Sequence, residues 1–240
     1  TREPARFARW IVLLPVAALV NPYLFVTISP VFAANALALL WQGAAAGRRA
    51  VLARAGIAAA LSALALYLMG FGTVSVANTW GIYGQLQVNL LAWFNPMGVG
   101  ALLVPLPVSE LGQTEPFMYL GLGGIAVLLV GAWMLWRARA RPDAIHWPLV
   151  VAIGLILTAA ISHRVALGPW FLIDLHPLPQ GLQELLNPIR SSGRLAWLPT
   201  YLALALAIAG CARLPSSRAA LLLLAGAVAV NLVDGRNIRA

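Results

Sequence analysis

The run Asn187-Pro188-Ile189-Arg190-Ser191-Ser192-Gly193-Arg194 places two guanidinium groups around two hydroxyls and a glycine, just before an apolar stretch. Guanidinium forks bind phosphate oxygens bidentately. Hydroxyls and backbone N–H groups at a helix start add further anion donors. Arg190, Ser191, Ser192 and Arg194 therefore compose a candidate lipid-phosphate site, since a phosphate at a membrane surface is what a lipid-linked substrate presents. The alternative is a pair of interfacial arginines resting on lipid headgroups. Slightly upstream, Asp174 and His176 put a carboxylate and an imidazole two residues apart. That is a weak acid/base or metal pattern, which a structural role explains better.

Aromatic rings, amides and carboxylates also gather earlier in the chain. Asn78, Trp80, Tyr83, Gln85, Gln87, Asn89, Trp93 and Asn95 are followed by Glu110, Gln113 and Glu115. Such a set suits a sugar, whose apolar faces stack on rings while its hydroxyls take hydrogen bonds. Asn89, Trp93, Asn95, Glu110 and Glu115, with Asp174 and His176, are the candidate substrate contacts. A short interfacial helix anchored by tryptophan fits the same composition. Glu110 and Glu115 have no recognised metal spacing, so no metal site is expected, although either carboxylate could meet a divalent cation. Walker, HExxH, GxSxG and CxxC motifs are absent. Gly121-Leu122-Gly123-Gly124 opens an apolar run and reads as close helix packing rather than phosphate binding. The single Cys211 forms neither an intrachain disulfide nor a cysteine metal site.

The elements that must position these groups belong to a membrane. The chain is 61% hydrophobic and 10% charged, with mean hydropathy +0.85, against about 25% charged residues in a soluble domain. The net charge of +9 comes entirely from arginine, and the arginines sit at the ends of apolar runs. That is the pattern of cytoplasmic membrane loops and not of a nucleic-acid surface. Helices are expected over 6–20, 23–43, 51–70, 117–136, 147–162, 195–212 and 219–233, with Asn21-Pro22 breaking the first apolar region. The result is an all-α polytopic membrane domain spanning 1–240, with about six to seven transmembrane helices.

Two long loops remain, about 71–116 and 163–194. With the N-terminus cytoplasmic, that side receives Arg2, Arg6, Arg9, Arg48, Arg49, Arg54, Arg137, Arg139, Arg141, Arg213 and Arg218. The other side receives Arg164, Arg190, Arg194, Arg236 and Arg239, and both long loops then share the extracytoplasmic face. The first twenty residues look superficially like a signal peptide but read as a helix that stays. The start at Thr1 reads as a truncation.

Four segments occur in a distinctive order: Asn21-Pro22-Tyr23-Leu24; Asn89-Leu90-Leu91-Ala92-Trp93-Phe94-Asn95-Pro96; Glu115-Pro116-Phe117-Met118-Tyr119-Leu120-Gly121-Leu122-Gly123; and Arg190-Ser191-Ser192-Gly193-Arg194-Leu195-Ala196-Trp197. Over about residues 20–234 the chain resembles a bacterial family of polytopic membrane proteins of unknown function, DUF6311. That family looks like the GT-C superfamily of glycosyltransferases, which use polyprenyl-phosphate-linked sugars outside the cytoplasmic leaflet. The resemblance implies an inverting glycosyltransferase of the bacterial inner membrane. Its partners would be membrane lipid and a polyprenyl-phosphate sugar, its substrate cavity would lie between the two loops, and nucleic acid would play no part. Activity follows here by fold analogy alone.

Two departures qualify that expectation. GT-C enzymes usually carry a catalytic acid in the loop between their first two helices, where this chain has only Asn21-Pro22. The family also tends to have further helices before this point and a soluble tail after it. The chain thus reads as the central and C-terminal membrane part of a longer protein, with its catalytic base elsewhere. A transporter or flippase of a lipid-linked solute and a non-catalytic scaffold are the alternatives. The expected spans hold Asn35, Ser62, Thr158 and Asn231 but no buried carboxylate, which counts modestly against transport.

Overall fold

The computed structural model describes residues 7–42, 45–71, 83–138 and 147–239. Arg2, Arg6, Asn78, Trp80, Arg139 and Arg141 lie outside the described residues. The chain is mostly helical and divides into two compact units, 1–80 with 142–158 and 81–141 with 159–240.

In the first unit, α1 (Trp10–Val20), α2 (Pro22–Gln42) and α3 (Ala45–Leu68) pack on one another. Asn21 is extended (φ −162°), as a residue before proline prefers. Its side-chain oxygen accepts from the Tyr23 N–H at 2.8 Å, which starts α2. The buried positions are mostly small: Ala17, Ala18, Ala34, Ala38, Ala58 and Ala65. The exposed ones include Leu19, Leu37, Leu52, Leu61 and Leu64. Small residues inside and large apolar ones outside is the arrangement of helices that meet lipid, where close backbone approach rather than water exclusion drives packing. The hydroxyls of Thr27, Ser29 and Ser62 each donate to the carbonyl four residues back, so none is left unsatisfied. Arg48, Arg49 and Arg54 sit inside α3, which begins six residues earlier than expected because arginine and alanine are good helix formers. Most of α5 (Trp147–Ile161) also belongs to this unit.

The second unit packs α4 (Gly121–Arg137) against α7 (Trp197–Cys211) and α8 (Ser217–Asp234). A Cβ on Gly131 would lie 2.1 Å from the Ala207 carbonyl oxygen, and one on Gly123 would lie 2.0 Å from that of Ala227. Close packing is thus the role of the glycines that open α4, as expected. Helix α4 starts four residues later than the sequence implied, at Gly121 with φ +72°. A side chain there would collide with Asn231, whose Oδ1 accepts from Gly123 N–H at 2.8 Å.

Asp234, 1% exposed, completes the same junction. Its carboxylate accepts from the Tyr119 hydroxyl (2.5 Å), Leu102 N–H (3.0 Å) and Leu122 N–H (3.3 Å). A carboxylate at the unsatisfied first turn of α4 is favoured by both hydrogen bonding and the helix dipole. The last helix runs one residue beyond its expected end at 233 and so closes on this buried carboxylate.

Among the described residues, four helical segments are long and apolar enough to cross a bilayer: Pro22–Gln42, Gly47–Leu68, Ser192–Cys211 and Ser217–Asn237. Trp10–Val20, Gly121–Arg137 and Trp147–Ile161 are apolar but shorter. The all-α expectation needs one correction. Residues expected to be loop form an antiparallel hairpin, β1 (Arg164–Leu167) with β2 (Trp170–Asp174), turning at Gly168 with φ +59°. Trp170, Phe171 and Ile173 after Gly168-Pro169, with Val165 before it, are the aromatic and β-branched residues that strands favour.

A candidate polar site where two loops interlock

The two loops are stitched together by amides. Asn89 donates to the Gln113 side-chain oxygen and to the Gly168 carbonyl, both at 2.8 Å. Its own oxygen accepts from Gly168 N–H (2.9 Å) and Leu91 N–H (3.0 Å). Gln113 donates to Ser109 Oγ at 2.7 Å. In the orientation that satisfies both its ends, the Gln87 amide accepts from Gln113 at 3.0 Å and donates to the Gly84 and Gln85 carbonyls. These three amides are at most 2% exposed. A buried polar network costs free energy unless every member is satisfied, and here satisfaction welds the hairpin turn to the first loop.

A buried arginine holds the other end of the hairpin. Arg164 grips Asp174, its cross-strand partner, through Nε (3.0 Å) and Nη2 (3.2 Å). It also reaches Glu110 through Nη1 at 2.8 Å and lies 4.4 Å from the centre of the Phe171 ring. The guanidinium hydrogen bond holds the Asp174 carboxyl below its ordinary range. Beside this clamp, the His163 ring stacks on Tyr83 at 5.7 Å and lies 6.4 Å from that of His176. Both His163 nitrogens are buried with no partner among the described residues, and burial, then Arg164 and His176, pushes its pKa down.

The segment singled out for phosphate leads directly into α7. Gly193 N–H donates to the Leu86 carbonyl at 2.9 Å, and a Cβ at Gly193 would lie 2.4 Å from Pro116 Cγ. That close approach puts Arg194 against Glu115: Nε donates to Oε1 at 2.5 Å, and Nη2 meets the same oxygen. Glu115 Oε2 and Ser192 Oγ are both buried without a partner among the described residues. Ser191 is buried too, and Arg190 is half-buried, with no ion pair to any described residue.

The predicted residues therefore fall into distinct sets. Arg194 meets Glu115, while Ser191 and Ser192 lie just before it in the chain as buried residues. Glu110 and Asp174 join through Arg164. Asn89 and Asn95 are internally consumed, the latter by Leu106 and Met97. Trp93 Nε1 donates to Thr200 Oγ1 at 2.8 Å, and His176 is exposed. Arg164, His163, Gln113, Tyr119 and Asp234 were not among the predicted site residues. A cross-strand Arg–Asp pair around Gly-Pro is the signal that could have found the first of them. Glu110 and Glu115 each face an arginine, and no group of three metal-ligating side chains occurs among the described residues.

Several apolar helices long enough to cross a bilayer mark a helical membrane protein. The chain belongs to the family described as domain of unknown function DUF6311, which matches residues 1–236. No curated protein and no solved structure matches it.

Proposed function

We propose that this chain is the membrane part of a GT-C-like glycosyltransferase that takes a polyprenyl-phosphate-linked sugar on the extracytoplasmic face of a bacterial inner membrane. The observation that carries this reading is the meeting of the two loops at Arg194 and Glu115, at the entrance to an apolar span. In that role Arg194, with Arg190 four residues earlier, binds the lipid phosphate and stabilises the charge it gains as the sugar leaves. Ser191 and Ser192 add hydroxyl donors, and Glu115 faces the sugar hydroxyls. Six or seven crossings with a cytoplasmic N-terminus belong to the same reading.

The test is binding of an undecaprenyl-phosphate sugar to the full-length protein, wild type against Arg190→Ala/Arg194→Ala. A hydrogen bond to a charged group contributes about 1.5–3 kcal/mol, so the double variant should bind roughly a hundredfold more weakly. Equal affinity would reduce both arginines to headgroup anchors, and no binding by either protein would remove the glycosyltransferase reading.

A transporter or flippase draws on one specific observation, the buried Asp234, because ionisable groups within spans mark solute pathways. Both its oxygens already accept hydrogen bonds from Tyr119, Leu102 and Leu122, which makes it a lock between helices. The glycosyltransferase reading therefore stays first.

A further inference from the structure

We infer that the β1–β2 hairpin and the following helix α6 (Gln180–Leu186) form a foot that rests in the headgroup layer of the lipid bilayer. A loop in water should expose polar side chains. This one exposes Trp170 (68%), Leu172 (56%), Leu175 (63%) and Leu185 (72%). Helix α6 is two-sided. Gln180 bonds Glu184 at 2.9 Å and Gln183 bonds Asn187 at 2.7 Å, and the Asn187 oxygen also accepts from Tyr83 N–H at 3.3 Å. Asn187 anchors the end of the helix to the protein, which leaves Gln180 and Glu184 exposed on one side and Leu182 and Leu185 exposed on the other.

Continuity with the spans argues for lipid as the occupant. The hairpin begins three residues after the apolar α5 ends, and the excursion closes at Ser192, the first residue of a candidate span. Exposed Trp197 and Tyr201 in the first turns of α7 mark the level at which aromatic belts lie. The depth is limited as well. Strand β1 is covered by the first loop, its Ala166 carbonyl accepting from Leu90 N–H at 2.9 Å, but β2 pairs only with β1 among the described residues, and the hydrocarbon core does not tolerate an open strand edge. The foot therefore sits among headgroups with its side chains reaching the acyl boundary, as an interfacial helix does.

The experiment uses the full chain in lipid nanodiscs, carrying a spin label at Leu172→Cys, Leu185→Cys or, as a polar-side control, Glu184→Cys. The unlabelled parent corrects for the buried Cys211. Labels at positions 172 and 185 should be relaxed more by oxygen, which concentrates in lipid, than by a water-soluble nickel chelate. Position 184 should show the reverse. Two labelled positions keep the test open if one variant fails to fold. Nickel contact at 172 and 185 equal to that at 184 would overturn the inference in favour of a water-facing loop. Protection from both reagents would overturn it in favour of a covering protein.

Discussion

At the scale of single residues, Arg164 has the most to lose. Removing its guanidinium leaves the Glu110 and Asp174 carboxylates facing each other with no cation between them. Breaking a fully buried pair costs about 3–5 kcal/mol. The acidic side chains here are 32% and 38% exposed, so solvent screening reduces the expected loss for Arg164→Ala to about 2 kcal/mol. Thermal unfolding in detergent should register it, with the hairpin amides exchanging first. Acid gives a related test. The folded Asp174 carboxyl titrates below the unfolded value, which is about 3.9. Its stabilisation is complete above that value and is lost as pH falls through it toward the folded pKa. Asp174→Asn should flatten this limb of the stability profile, and an unchanged limb would remove the clamp from the account.

Glu115 raises a different question, because its carboxylate already occupies Arg194. If the phosphate reading is right, that carboxylate competes with the ligand. Glu115→Gln should then tighten binding of a polyprenyl phosphate several-fold, roughly 1 kcal/mol. Weaker binding would make Glu115 a residue that positions Arg194. The sequence exposed Arg194 and Glu115 as site candidates because both sit in polar runs beside spans. It hid their pairing, 79 residues apart, and it hid Arg164 because a lone arginine after a helix looks like any interfacial anchor.

Among the elements, the small-residue faces decide how α4, α7 and α8 meet. Gly131→Ala drives a methyl group into the Ala207 carbonyl, and Gly210→Ala would put one 2.3 Å from the Gly131 carbonyl. Overpacking of this kind costs about 1–3 kcal/mol. Gly226→Ala in α8 meets nothing within 4 Å and should be neutral or slightly stabilising. Melting curves of the three variants in one detergent would separate a packing role from mere helix propensity, since propensity alone predicts stabilisation in all three. Helix positions were largely legible, because apolar length, Asn21-Pro22 and flanking arginines are one-dimensional signals. The start of α4 was not, since the Asn231 side chain that crowds Gly121 comes from a helix over a hundred residues away. The hairpin was missed for another reason. In a chain this apolar, a run such as Trp170-Phe171-Leu172-Ile173 carries little contrast with its surroundings.

For the molecule as a whole, the hydrogen bonds between the loops constrain membrane topology. Asn89 bonded to Gly168, Glu110 to Arg164 and Glu115 to Arg194 require both loops to lie on one face, because such bonds cannot cross a bilayer. Helices α4 and α5 separate the loops, so either both cross or neither does. Their 17 and 15 residues give about 26 and 23 Å at 1.5 Å per residue. That is slightly short of the usual 30 Å core, so the proposed reading in which both cross requires local thinning of the bilayer. Asp234 and Asn231 bring the end of α8 back beside Tyr119 and Gly123, on the loop face. In the proposed topology, α7 and α8 form a crossing pair whose turn, near Arg213 and Arg218, lies on the cytoplasmic side that the positive-inside rule predicts. Single cysteines at Thr114, Gln180 and Ala212 test this in intact cells with a membrane-impermeant maleimide. Positions 114 and 180 should be labelled from outside, and position 212 only after permeabilisation. Opposite sidedness of 114 and 180 would break the interlocked site itself. Uniform outside labelling would instead leave that site intact and remove α7 and α8 from the count of crossings.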